Sequence, residues 1–485
     1  MRRVAALAAL TLFVATATGC AHYPLNAELQ PPFSPTTGYR FPKASLDTPD
    51  RADELFVCLS FSGGGTRAAA FAHGALLQLR ETDIGGGRTL LDEIDCIAGI
   101  SGGAFTAAYY GLFGKAGLDT FYDRFLKRDI QAELVRRAAN PVNLVRLASP
   151  YFSRIDLAAE LYDETVFERK TFADLRARSR PFIILHATSM ADGAPFEFTQ
   201  AEFDFLWSDL DPFPVARAVA ASSAFPFLLS PVSLRSYQPP PNTFRVPADV
   251  TNGLADREGN PSRYYWARQR EDLMSPPKET DKPAVEKWVH LLDGGLADNI
   301  GLRSILRAYD RTSGFIRSRI NAGHIKRFVV IVINARTDPP EQLSRRESPP
   351  GLVDVFMKTA TVSMETVTFD TIEQALDRQA AREQAQTDIR VCTDALAKCQ
   401  HTPPAPLARE IRTCFIHIDF EGLPPPQRDA LLAYPTTFSL SEEQLKTLEK
   451  AARDLLRDSP SFKRLIDALK DDPNAESPAA KGNCS

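Results

Sequence analysis

The chain is short of the features that mark several large protein classes. Its seven cysteines include no C-x-x-C pair, and none of its seven histidines stands in an H-E-x-x-H pattern, so no metal site is expected. No lysine closes a Walker-type loop, and no glycine run completes a dinucleotide fingerprint. A formal net charge of −4 gives no electrostatic footprint for nucleic acid. Beyond the first eighteen residues no apolar run approaches the length of a bilayer-spanning helix. No internal repeat is visible. What remains is an ordinary globular composition, 44% apolar and 24% charged over 485 residues, long enough for one large α/β unit with insertions.

The N-terminus differs from the rest. Arg2 and Arg3 precede the uncharged stretch Val4–Thr18 and then Gly19-Cys20, the order of a secretory signal in residues 1–20. Cys20 after small residues resembles the lipobox of bacterial lipoproteins, although Ala17 stands where leucine is usual. That resemblance implies lipidation at Cys20, an N-terminal membrane anchor and a position on the outer membrane facing the periplasm, with plain secretion as the alternative. Residues 21–53, rich in proline and polar side chains, read as a flexible tether. Cys58 and Cys96 fall in apolar runs and read as small core residues. Cys392 with Cys399, and Cys414 and Cys484, are candidates for pairing in an oxidising compartment.

From Glu54 onward strand-like and helix-like runs alternate: Leu55–Phe61, Ala68–Arg80, Glu93–Ala98, Ala104–Phe113, Pro181–Thr188. Such alternation predicts an α/β fold with a mainly parallel central sheet and helices on both faces. The hydrolase-like domain spans 54–470. Residues 238–283 interrupt it with Pro239-Pro240-Pro241, which neither joins a sheet ladder nor continues a helix, and read as an insert. The segment Leu118–Tyr162 is amphipathic, either a cap or surface helices. A long helix is expected from Leu352 to about Gln386, and 471–485 read as a disordered tail.

Three places carry chemistry. Gly99-Ile100-Ser101-Gly102-Gly103 lies between a strand-like and a helix-like run, the setting of a nucleophile elbow with Ser101 at a helix N-terminus. Gly63-Gly64-Gly65-Thr66-Arg67 also joins a strand to a helix. Its Cβ-free backbone suits either an oxyanion hole or an anion-binding turn. Asp293-Gly294-Gly295 ends the strand-like Trp288–Leu292, where Asp293 reads equally as a turn residue and as an acid at the sheet edge. His186, His290 and His417 lie in apolar strands and read as core histidines. His73 lies within a helix, and none of the histidines His22, His324 and His401 stands in a loop marked for catalysis.

In that order these three motifs resemble the patatin-like phospholipase family. Ala220–Pro226 and Asp298-Asn299 add to the likeness, which covers roughly Leu55–Leu306 apart from the insert. Ala68 departs from the family's usual glycine after the arginine. The resemblance implies a three-layer patatin-like fold and a serine acylhydrolase acting on membrane phospholipids or related acyl lipids without metal or cofactor. It implies a Ser101–Asp293 dyad and an oxyanion hole at Gly63, Gly64 and Gly65, with support from Thr66, Arg67 and Gly102. Transacylation is open within this reading. The competing readings are an α/β-hydrolase with a Ser–His–Asp triad through His417 or His324, and a non-catalytic lipid-binding envelope protein.

Overall fold

The computed structural model describes residues 21–41, 54–178, 180–237, 239–240, 243–244, 246–274, 287–310, 314–338, 347–398, 411–471 and 484. The expected signal with Cys20, residues 42–53, Cys399, His401, parts of the insert and all of the tail but Asp471 and Cys484 lie outside the described residues.

The strands in chain order are β1 (Ala27–Glu28), β2 (Leu55–Phe61), β3 (Ile94–Ile100), β4 (Phe182–Ser189), β5 (Pro195–Glu197), β6 (Ser208–Asp209), β7 (Val232–Ser236), β8 (Lys287–Asp293), β9 (Arg327–Ile333) and β10 (Arg412–Ile418). Eight form the main sheet, ordered β10-β9-β2-β3-β4-β8-β7 with β5 beside β4. The pairs from β10 to β4 are parallel, while β4–β8, β8–β7 and β4–β5 are antiparallel. Sequence separates these two regions. The runs LFVCLSF of β2 and IDCIAGI of β3 are buried at every position, as strands covered on both faces require. VSLRS of β7 alternates buried and half-buried residues, as a strand with one wetter face does. The mainly parallel α/β class inferred from the alternation is the class observed.

The helices that matter for the site are α1 (Gly65–Glu81), α2 (Gly102–Phe121), α3 (Ile130–Ala138), α4 (Pro141–Leu147), α5 (Arg154–Thr165), α6 (Val215–Ser222), α7 (Ala248–Ala255), α8 (Pro261–Met274), α9 (Gly295–Asp298), α10 (Leu302–Asp310), α11 (Leu352–Lys398) and α12 (Glu442–Asp458). Their apolar faces and the central strands share one continuous core. The segment 118–162 holds the end of α2, then α3 and α4, which are largely exposed, and most of α5, which is half buried. Within the insert, α7 and α8 pack Val250 and Ala267 against Phe205 in a small separate cluster. α11 runs twelve residues past the expected end.

Two expectations need correction. Residues 21–41, expected as a flexible tether, lie against the body. β1 pairs antiparallel with β6, the Asn26 side chain bonds Ser208 and the Arg235 backbone, and Arg40 forms a two-oxygen ion pair with Asp204. The buried Tyr39 hydroxyl donates to the Ile183 carbonyl at 3.0 Å and accepts from its N–H at 2.8 Å. Composition misled here because each contact is made by a single polar or aromatic residue between prolines. Second, Cys58 and Cys96 are not free core thiols: parallel pairing of β2 and β3 sets them opposite each other, Cα–Cα 4.6 Å, and they form a disulfide. Cys414 and Cys484 form another, which pins a point of the tail, while Cys392 is exposed and free. The helix expected over 104–113 does break at Gly114, φ +63°, and a second helical stretch continues from there to Phe121.

Candidate active site

β3 delivers the elbow. Ser101 sits between strand and helix at φ 48°, ψ −116°, a conformation costly for a residue with a Cβ and one that local contacts must hold. Its N–H donates to Ser222 Oγ at 2.8 Å, at the end of α6, and its carbonyl accepts from Ala104 N–H. The neighbours must be small. A Cβ on Gly99 would lie 2.9 Å from Ala104 Cα, and one on Gly102 would collide with the Gly65 carbonyl. Elbow and glycine loop are thus in backbone contact. Ser101 points along the start of α2, where unpaired N–H groups present positive potential.

Asp293 arrives from the antiparallel side of the sheet. Ile100 pairs with His186 in β4 and the adjacent Ala187 pairs with Asp293, so one strand separates the two candidates. The loop ends fold over that strand, and the Ser101 side chain lies near enough to the Asp293 carboxylate to lower its pKa. The same carboxylate accepts the Gly295 N–H at 2.8 Å. Asp293 is buried, and burial raises its pKa from 3.8 to about 7 against the lowering effect of these two groups. The backbone is held too: Asp293 N–H donates to the Ala224 carbonyl, Gly294 N–H to that of Ser222, and Thr188 Oγ1 donates to the Asp293 carbonyl at 2.8 Å.

The glycine loop connects β2 to α1. Gly64 has φ +137° and Gly65 φ +61°, which only glycine adopts readily. The three glycines expected to serve as oxyanion donors differ in what meets their N–H groups. The Gly63 N–H is taken by the Asn299 carbonyl at 2.9 Å, whereas among the described residues no acceptor meets the N–H of Gly64 or Gly65. Thr66 N–H is held by the Thr437 carbonyl at 2.9 Å. Arg67 is buried beneath the loop, its Nε and Nη1 donating to the carbonyls of Ala335 and Tyr434 at 3.0 and 2.9 Å. A Cβ on Gly64 would come within 2.8 Å of its Nη2. Burial lowers its pKa to about 10, so it stays cationic at neutral pH.

The histidines lie elsewhere. His186 Nε2 bonds Ser304 Oγ at 2.9 Å and burial lowers its pKa. His73 lies between Glu449 and the Leu118 carbonyl, and His290 meets Ser233. His417 is next to Asn334 and Asp419. Among the described residues no histidine ring is bonded to Ser101 or Asp293. Sequence reasoning missed Ser222 as the elbow's acceptor and Thr437, Ala335 and Tyr434 as supports of the glycine loop. The last three act through backbone carbonyls, for which no side-chain signal exists. Asp298, noted in the sequence, accepts the N–H groups of Ile300, Gly301 and Arg303 and caps α10. No group of metal-binding side chains occurs among the described residues.

A family model described as patatin-like phospholipase matches residues 59–306, half of the chain. No curated protein matches. Among solved structures, human GIVD cytosolic phospholipase A2 aligns with a TM-score of 0.42 at 12% identity, covering 88% of this chain and 62% of that one. Its complex with methyl gamma-linolenyl fluorophosphonate gives 0.40 at 13%, covering 87% and 60%. VipD from Legionella pneumophila gives 0.27 at 12%, covering 86% and 67%. The chain thus spans about three fifths of the length of the human enzyme.

Proposed function

The chain belongs to the patatin-like phospholipase family, a family of lipid acyl hydrolases, and from that premise we propose that it cleaves acyl esters of membrane lipids through Ser101 and Asp293. The observation that supports this most is the buried Asp293 carboxylate, raised by burial to a pKa of about 7 with the Ser101 side chain beside it. A carboxylate at its ordinary pKa is a weak base for a hydroxyl, whereas one near neutrality is matched to the task. Ionised Asp293 accepts the Ser101 proton as Oγ bonds to the ester carbonyl carbon. The displaced electron pair collects on the carbonyl oxygen, which the N–H groups of Gly64 and Gly65 stabilise at the start of α1. Collapse breaks the C–O bond to the leaving alcohol, which takes the proton from Asp293. Water then gives its proton to Asp293 and attacks the acyl-serine, and Ser101 is restored. Arg67 acts from beneath, holding the loop and adding positive potential.

In the same reading Cys20 is lipidated and the enzyme works at the periplasmic face of an outer membrane. Phospholipids, lysophospholipids and glycolipids are all compatible substrates. Fluorophosphonate labelling with short-chain ester hydrolysis tests the dyad. Wild type labels and turns over, Ser101→Ala does neither, and His417→Asn and His324→Asn keep activity. Loss of turnover in a histidine variant with native stability would replace the dyad by a triad.

A further inference from the structure

Residues 131–148 hold no buried side chain. α4 has no buried residue although it carries Val142, Leu144, Val145 and Leu147, and Val142 is 69% exposed. Val135 on α3 is 65% exposed, and Leu144 and Tyr151 are more than half exposed. Seven-residue helices are not stable in water on propensity alone, and this one is held by an Asn140 cap and Pro141 at its first turn while its apolar side chains meet solvent. Residues 127–154 hold six Lys/Arg against two Asp/Glu in a chain whose net charge is −4. Lys127, Arg128, Arg137 and Arg146 are engaged by Glu442, Glu133, Glu164 and Glu160. Arg136 and Arg154 have no acidic partner among the described residues and leave the face cationic.

The start of the described chain lies on this same face. Ser149 Oγ donates to the Ala21 carbonyl at 2.7 Å, the Tyr23 N–H to the Tyr151 carbonyl at 2.8 Å, and the His22 ring stacks on Tyr151. Cys20 precedes Ala21 by one peptide bond. An opening of about 490 Å³ runs from α3, between Val135 and Arg136, to Thr437 and Ser439, and the Thr437 carbonyl holds the glycine loop at Thr66.

We propose that the α3–α4 hairpin with Tyr151 is the face by which this protein lies on a bilayer containing anionic lipid, its valine and leucine side chains entering the interface and Arg136 and Arg154 meeting phosphate. The combination of exposed aliphatic tips, unpaired arginines and the adjacent lipidation candidate Cys20 fits an anionic bilayer better than a protein partner, because apolar insertion and headgroup charge act together there. The inference rests on the lipid-hydrolase reading for its purpose, but contact with a bilayer is measured without turnover.

The test uses the full chain with Cys20, Cys392 and Cys399 changed to serine, and an environment-sensitive fluorophore on Val142→Cys. A second sample carries the probe on Val391→Cys, which is as exposed but lies on α11. With phosphatidylcholine/phosphatidylglycerol vesicles the probe at 142 shifts to the blue and the probe at 391 does not. Arg136→Glu with Arg154→Glu weakens that response about tenfold, as does raising the salt. No shift at 142, or an equal shift at 391, overturns the proposal. A shift without vesicles that grows with protein concentration assigns the face to a second copy instead, and also overturns it. If wild type hydrolyses no ester but the probe at 142 responds, the function falls and the docking face stands.

Discussion

Asp293→Asn separates the activity of the site from its cost. Burial moves the carboxyl from 3.8 to about 7. Ionising it in the folded protein therefore costs about 4 kcal/mol more than in the unfolded chain. The sign is fixed by the direction of the shift. Between pH 3.8 and about 7 the folded state binds more proton than the unfolded state, so stability falls as pH rises through that window and is lowest above it. Asparagine has no proton to lose and keeps an oxygen for the Gly295 N–H. Urea unfolding at pH 5 and at pH 8.5 is expected to show the variant gaining on wild type by about 3 kcal/mol more at the higher pH, the rest of the difference being already present at pH 5. Ester hydrolysis by the variant is expected to drop by about 10²–10⁴-fold. In wild type kcat/KM rises with pH to a plateau with a midpoint near 7. A stability difference equal at both pH values, or a rate midpoint near 4, would refute the reasoning.

Gly64→Ala places a Cβ against Arg67 and forces φ +137° on an alanine; kcat is expected to fall about a hundredfold with fluorophosphonate binding weakened, and a kcat within threefold of wild type removes Gly64 from the oxyanion site. Arg67→Met leaves the Ala335 and Tyr434 carbonyls without donors; a loss of about 3 kcal/mol in urea unfolding is expected, and an unchanged midpoint contradicts the support role. Tyr39→Phe removes both bonds to Ile183; about 1–3 kcal/mol is expected by the same measurement, and no change would detach residues 21–41 from the body's stability.

The core of the site was legible because it is local. Gly99–Gly103 and Gly63–Arg67 each encode a strand end, a tight turn and a helix start within a few residues, and small side chains are demanded there by contacts that a Cβ would violate. Asp293 was ambiguous in sequence for a physical reason. Asp-Gly-Gly is also an ordinary turn, and only the antiparallel entry of β8 beside β4 brings it under Ser101. The tether was misread because its order comes from partners more than a hundred residues away, such as Ser208 for Asn26 and Ile183 for Tyr39. The Cys58–Cys96 bond was missed because apolar surroundings suit a thiol equally well, and strand order decides which cysteines face each other.

The stems of the insert are themselves partners. Ser236 of β7 sits opposite Lys287 of β8, so the chain leaves the sheet and returns to it at neighbouring positions. Closing such a loop costs only about 0.6 kcal/mol for each doubling of its length. The fifty residues between these stems can therefore grow, shrink or be exchanged while β8 continues to carry Asp293 to the same register. The limit on exchange is the patch they cover, Phe205 and Trp207, which Phe244 and Trp266 now shield. The hydrolase frame and this appendage are two units of variation on one hairpin, and a short turn across the stems, with those two aromatics made polar, would leave an enzyme with its chemistry in place.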